Sequence, residues 1–432
     1  MYHEPPLLGR LNFLIRRERK MGEKVRERLD RIWKYLRYFL KWTALACVLG
    51  ALCGGVGAAF HYVVEEAGVL FGVHSWLLYL LPVAGLVIVA LYQFNGQDKG
   101  TDMVLASLRT GEAIPPLAAV RMFAATALTH LCGGSAGREG AALVIGAGLS
   151  SCMTKILRLK EKDTKVLTMC GMAGLFSAVF GTPVTAALFS LEVSAVGIMN
   201  YAGLYPALAA SLSAWTISRL LGTHGVAFSA VTIPSWDWVV ILKVAGLALL
   251  CALCSILFLS VMHLVGHAYR KYLKNPYLRV VVGGLLVVGA TLLLGTRAYN
   301  GAGMAAITAA IEGTAVPWAF LVKILLTALT IGAGFKGGEI VPSFFIGATL
   351  GCVLGPVLGL SPGFAAAVGL IALFCGVVNC PVASLVLSVE LFGGEGVGFF
   401  AIACAVSYLM SGYYSLYGEQ RILSKLEGKE EA

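Results

Sequence analysis

The sequence predicts an all-α polytopic membrane protein made of two related halves, and three observations lead there. The 432 residues are 58% hydrophobic and 13% charged, with a mean hydropathy of +0.82. After residue 100 the apolar segments become short and are interrupted by Gly, Pro and single charges, the texture of discontinuous transporter helices. An ordered set of motifs then recurs at an offset of about 200 residues. Such a composition belongs to a membrane protein rather than to a soluble domain with a large core. Apolar material fills nearly the whole chain, so no sizeable soluble or regulatory domain is expected.

The chain opens with a basic segment, residues 1–37. The net charge of +10 is uneven, and much of it falls between Arg10 and Lys41. Arg16, Arg17, Arg19, Lys20, Lys24, Arg26, Arg28 and Arg31 form a basic set that has the composition of a nucleic-acid site. The adjoining span makes the lipid surface the expected partner instead, with no nucleic acid. The segment lacks the apolar stretch and small-residue cleavage site of a signal peptide, so it reads as a retained interfacial helix. The positive-inside rule places this terminus in the cytoplasm.

Residues 38–420 form the transmembrane domain, with repeats at about 38–222 and 236–420. Apolar runs at Tyr38–Val63 and Ser75–Phe94 reach the ~20 residues that a spanning helix needs, and read as ordinary spans. Asn200–Leu221 and Trp236–His267 supply further ones, with Trp236, Trp238 and Tyr269 placed to anchor at the interface. Residues 421–432 form a short polar cytoplasmic tail. The eleven cysteines are scattered singly through apolar runs. They read as small buried residues, and neither a disulfide framework, a metal nor a cofactor is expected.

The repeat is visible when one half is laid over the other. Gly100-Thr101-Asp102-Met103 recurs as Gly301-Ala302-Gly303-Met304, and Ile114-Pro115-Pro116 as Val316-Pro317-Trp318. Thr126-Ala127-Leu128-Thr129 recurs as Thr327-Ala328-Leu329-Thr330, and Glu139 with Gly146-Ala147-Gly148-Leu149 answers Glu339 with Gly347-Ala348-Thr349-Leu350. The segment from Pro183 to Glu192 matches the one from Pro381 to Glu390. Five matches in one order are hard to attribute to shared composition. Gly347, Gly351 and Gly355, spaced by four, read as helix-packing positions.

Gly133-Gly134-Ser135-Ala136-Gly137-Arg138-Glu139-Gly140 places glycines and two opposite charges between apolar runs. A charge at bilayer depth costs roughly 2.5–3.5 kcal/mol on insertion scales, so a carboxylate there marks a functional site. The segment Gly140–Leu149 is apolar and can be helical, which puts Glu139 at a helix N-terminus inside the membrane, where N–H groups favour an anion. Two other readings exist. One is a plain glycine-rich turn in interfacial water. The other is a phosphate loop, which the absence of a Lys-Ser/Thr ending sets aside. Arg138 reads as a helix-positioning or surface charge, because a full positive charge within a pore would trap the anion.

On these motifs the chain resembles the CLC family of chloride channels and anion/proton antiporters. The resemblance rests on Gly137-Arg138-Glu139-Gly140, on Gly337-Gly338-Glu339-Ile340-Val341-Pro342, on the paired segments ending at Glu192 and Glu390, and on Tyr417 in Ser415-Leu416-Tyr417. It implies a CLC-type fold of two inverted repeats whose broken helices meet at a midplane anion site, and a homodimer with one pore per subunit. It implies that Glu139 is the gating glutamate and that the Tyr417 hydroxyl touches the anion. Thr101, Met103, Gly140, Gly338, Ile340 and Val341 then fall at anion-lining positions.

Three departures from the family pattern matter. Gly100-Thr101-Asp102-Met103-Val104 replaces the motif whose serine coordinates chloride, and either Thr101 or Met103 takes that serine's place. Val193 stands where chloride/proton antiporters carry an internal proton-transfer glutamate. Glu339 stands where an apolar residue is usual. Together they resemble the fluoride-exporting branch.

The resemblance therefore implies a transporter in the cell membrane that exports fluoride in exchange for protons through Glu139. A chloride/proton antiporter and a passive chloride channel on the same fold are the alternatives. At the start of a helix, N–H groups favour a charged carboxylate while desolvation favours the neutral one, so Glu139 can exchange between both. Glu339 has two readings, a proton-coupling carboxylate or a cap on its helix. Glu192 and Glu390 read as carboxylates bonded to nearby N–H groups where their helices stop, and His130 as a hydrogen-bonded helix-end histidine rather than a proton relay. No Ser/His, His/Glu/His or paired-Asp constellation falls on the apolar helices, so no enzyme is expected.

Overall fold

Proline placement fixes many of the helix starts. Proline lacks an N–H and has a preset φ, both of which suit the first turn of a helix, and α7, α10, α14 and α15 below all begin on one. A computed structural model of the protein describes residues 7–93, 100–226, 228–229 and 231–422. In chain order its helices are α1 (Leu7–Val73), α2 (Leu81–Gln93), α3 (Thr101–Thr110), α4 (Leu117–Leu131), α5 (Glu139–Leu157), α6 (Glu161–Phe180), α7 (Pro183–Glu192) and α8 (Leu204–Leu220). The second set is α9 (Trp238–Tyr272), α10 (Pro276–Leu294), α11 (Met304–Ile311), α12 (Ala319–Ala333), α13 (Ile340–Val357), α14 (Pro362–Val378), α15 (Pro381–Phe392) and α16 (Val397–Met410). The second eight follow the first eight element by element, as the motif offset predicts.

The basic segment and the first span form one helix, since α1 runs unbroken for 67 residues and no proline falls between Leu7 and Val73 to remove a ladder hydrogen bond. Two expectations change. The run from Ser75 is not one regular span. A 3₁₀ helix at Ser75–Leu80 precedes α2, and Phe94 lies outside the described residues, as do the residues of the polar tail from 423 onward. Tyr269 is 6% exposed and packs inside, whereas Trp236 and Trp238 are exposed as interfacial anchors require.

Two helices occupy the middle of the molecule. Every residue of α6 from Val166 to Phe180 and of α14 from Phe364 to Val378 is buried, as expected of helices that are apolar on all sides. Their packing partners supply the space. A Cβ at Gly347 or Gly351 of α13 would collide with the backbone of α14 at Gly369 or Ala365, and one at Gly146 of α5 would collide with α6 at Gly171. These glycines are packing positions. The outer helices present leucines outward, such as Leu242, Leu253 and Leu264 of α9 and Leu285 and Leu293 of α10. Lipid is the solvent that suits them, and among the described residues six helical segments are long and apolar enough to cross a membrane.

Past α16 the chain returns to the centre. A two-residue strand β1 (Ala195–Val196) pairs in parallel with β2 (Arg421–Ile422), Ala195 opposite Arg421. This pairing brings the segment around Tyr417 back beside the end of α7.

Candidate functional site

The two glycine-rich motifs meet. The Gly137 N–H donates to the Gly338 carbonyl at 2.6 Å and the Gly338 N–H to the Gly137 carbonyl at 2.7 Å, an antiparallel bridge between the two repeats. Only glycine allows this approach. A Cβ at Gly338 would stand 2.5 Å from the Gly140 nitrogen, and one at Gly140 would stand 2.9 Å from the Gly338 Cα. The clasp sets the start of α5 beside the start of α13. The first N–H groups of each helix have no partner within it, so two positive helix ends converge.

A cavity opens on either side of this clasp. One, of about 520 Å³, is lined by Glu139, Arg138, His130 and Val341 and by the loop Gly301–Met304. The other, of about 470 Å³, is lined by Glu339, Tyr417, Lys336 and His263 and by Gly100, Thr101 and Asp102. Each cavity thus joins the carboxylate of one repeat to the first broken-helix loop of the other. The two loops are the counterparts that the sequence offset identifies, so the cavities are related by the same pseudo-symmetry as the repeats.

Within this frame Glu139 is 1% exposed. Its Oε2 accepts the Arg138 N–H at 3.0 Å, and its Oε1 lies 3.7 Å from Arg138 Nε. Arg138 is the N-cap of α5, in keeping with a positioning charge. Glu339 is the N-cap of α13 and its side chain makes no capping hydrogen bond. Ile340 and Val341 form the first turn of α13, both buried. Tyr417 is 4% exposed, and its hydroxyl has no hydrogen-bond partner among the described residues. A buried polar group left this way costs ~1–3 kcal/mol and calls for an explanation. Of the two residues placed at the serine position, Thr101 lines the Glu339 cavity, while Met103 packs against the core and lines neither cavity.

The sequence model of the voltage gated chloride channel family matches residues 84–412. The chain belongs to that family, the CLC family. It is 36% identical over 399 residues to a "Chloride/fluoride channel protein" of Pseudomonas syringae pv. tomato, covering 90% of this chain and 88% of that one. The fold is similar to the crystal structure of a CLC-type fluoride/proton antiporter, with a TM-score of 0.86 and 32% identity over 89% of this chain and 98% of that one. It is also similar to a slow cyanobacterial Cl⁻/H⁺ antiporter at a TM-score of 0.71 and 18% identity, over 86% and 94% of the two chains, a likeness of fold alone. This is the CLC fold, and the family is one of transporters and channels.

In this CLC chain the helix-end carboxylates bond across the repeats. Glu192, the last residue of α7, accepts the Val382 and Ala383 N–H groups at 3.2 and 2.9 Å. Glu390, near the end of α15, accepts those of Val184 and Thr185 at 2.9 Å each. The expected partners were N–H groups near where their own helices stop. The actual ones lie where the other repeat's helix starts, because only those N–H groups are unpaired. Val193 is fully buried, and its carbonyl accepts from Gln420 Nε2. At His130, Nδ1 bonds the Thr126 carbonyl at 2.9 Å, which fits the helix-end reading.

Two residues were missed in the sequence reading. Asp102 accepts the Glu419 N–H at 3.2 Å, while Arg109 on the same helix pairs with the Glu419 carboxylate at 2.8 Å. Together they pin the Tyr417 segment to α3. Lys323 is a wholly buried lysine on α12. For both, the available signal was a lone charge among apolar residues.

Proposed function

We propose that the protein is a secondary active transporter that exports fluoride in exchange for protons. The observation that carries this reading is the placement of Glu139 and Glu339 at two adjoining helix starts, on opposite sides of the Gly137–Gly338 clasp. Likeness to a CLC-type fluoride/proton antiporter and to a chloride/fluoride channel protein supports it.

In this scheme the anion lies between the helix starts, where the N–H groups of Gly140, Ile340 and Val341 and the Tyr417 hydroxyl supply donors. Deprotonated Glu139 competes for the same place. Protonation removes its charge, the neutral side chain leaves, and the anion moves through as the proton travels the other way. A permanently charged Glu339 would oppose an anion by about 4 kcal/mol at ~4 Å and an effective ε near 20. It therefore takes up and gives back the second proton contact, the task that Val193 cannot perform.

The basic start of α1 is placed in the cytoplasm. The far end of α1, Val64 to Phe71, then lines the Glu139 cavity, so that cavity faces outward and the Glu339 cavity inward. The termini are cytoplasmic, the protein lies in the cell membrane, and it works as a homodimer with one pore in each subunit. The test is reconstitution into liposomes with fluoride equal on both sides and an imposed proton gradient. Uphill fluoride movement is expected. Passive flux without proton coupling indicates a channel, and coupled movement of chloride but not fluoride indicates a chloride antiporter.

A further inference from the structure

Lys323 is a buried lysine with no acidic partner among the described residues. Its side chain is 0% exposed. Nζ donates to the carbonyls of Tyr299 at 3.1 Å and Gly301 at 2.7 Å and stands 5.2 Å from the centre of the Phe345 ring. Among the described residues no carboxylate forms an ion pair with it. Withdrawing an ammonium from water costs several kcal/mol, which two carbonyls and a ring face offset only in part.

Its neighbours identify the missing negative charge. The loop that Lys323 holds is the wall of the Glu139 cavity, lined by Gly301, Ala302, Gly303 and Met304. A Cβ at Gly303 would lie 3.5 Å from Nζ, so the charge stands one backbone thickness behind that wall. Arg138 and Arg297 line the same cavity, as does Glu65, but these three are partly or largely exposed and water screens them. The other cavity has no such buried charge at the matching place. The Thr126/Thr327 correspondence aligns Lys323 with Met122, which lines the Glu339 cavity.

We propose that Lys323 is a positioning residue for transport, whose buried ammonium draws the anion into the Glu139 cavity through the Gly301–Met304 wall. Its counterion is the transported anion. The inference rests on the proposed function for the identity of the anion, but not for its sign. It also gives the two pseudo-symmetric cavities different anion affinities.

The test is a titration of halide flux in liposomes for the wild type and for Lys323→Met, Lys323→Gln and Lys323→Arg, each checked for assembly by size exclusion. Met has a precedent at the matching position, and Gln keeps hydrogen-bond donors without the charge. Loss of through-wall attraction should raise KM about tenfold in both neutral variants and leave kcat within about threefold, while Arg stays near the wild type. A Gln variant with wild-type KM overturns the proposal, since a structural tie is then sufficient. So does failure of both neutral variants to assemble. If the wild type moves chloride without protons, the functional reading fails while the KM series still tests Lys323.

Discussion

Gly137 and Gly338 exchange two backbone hydrogen bonds, and through them the repeats fix the distance between the starts of α5 and α13. The contact leaves no room for a side chain. Gly338→Ala would place a Cβ 2.5 Å from the Gly140 nitrogen, and forced overpacking costs typically 1–3 kcal/mol. The expected result is a lowered thermal midpoint and at least tenfold less anion flux, measured by electrode in liposomes. Wild-type flux in this variant would show that the clasp does not set the anion site.

Glu139→Gln removes both the exchangeable proton and the competing charge. Proton coupling should vanish, so that an imposed pH gradient no longer drives fluoride uphill. Passive flux is a separate quantity and either value is compatible with the scheme. A variant that still pumps against its gradient would take the gating role away from Glu139.

Because the Glu339 side chain makes no capping hydrogen bond, folding should not depend on its charge. Glu339→Gln is expected to give an assembled protein with a thermal midpoint close to the wild type and with proton-coupled fluoride transport reduced at least tenfold. Normal exchange together with a lowered midpoint would return Glu339 to a structural part.

The Tyr417 hydroxyl has no partner among the described residues, so Tyr417→Phe should not lower stability. A hydrogen bond to a charged group contributes ~1.5–3 kcal/mol, and its loss should weaken apparent anion affinity by roughly tenfold or more. Calorimetry and a KM measurement on the same preparation separate the two. Reduced stability with unchanged KM is the contrary result.

Glu192→Gln and Glu390→Gln each weaken a carboxylate that bonds two N–H groups of the opposite repeat. Both should lower the thermal midpoint while keeping the proton-to-anion ratio, because neither residue lines the Glu139 or Glu339 cavity. A changed ratio for Glu192→Gln at unchanged stability would make it a proton-transfer residue.

The sequence by itself determined the class, the repeat and the matching places of Glu139 and Glu339 at two helix starts. Composition and interrupted apolar runs are local properties. The offset that pairs Glu139 with Glu339 needs no coordinates either, because a duplicated element keeps its order. Helix starts were legible where proline or glycine marks them, as at Pro183 and Pro381. The continuity of α1 was not, since a change from basic to apolar side chains alters what surrounds a helix without interrupting its backbone ladder.

Tertiary structure decided which groups meet. Nothing local in Gly338 says that its N–H reaches Gly137, two hundred residues away, or that Glu192 bonds the start of α15 rather than the end of its own helix. Thr101 and Met103 lie two positions apart, and only the packing of α3 sends one to a cavity and the other to the core. Lys323 was visible as a lone charge in an apolar run, but its burial behind the Gly301–Met304 wall depends on how α12 packs under that loop. The physical reason is common to all four. Pairing across distant segments depends on the direction in which unpaired N–H, carbonyl and charged groups point, and that direction is set only when the two repeats close on each other.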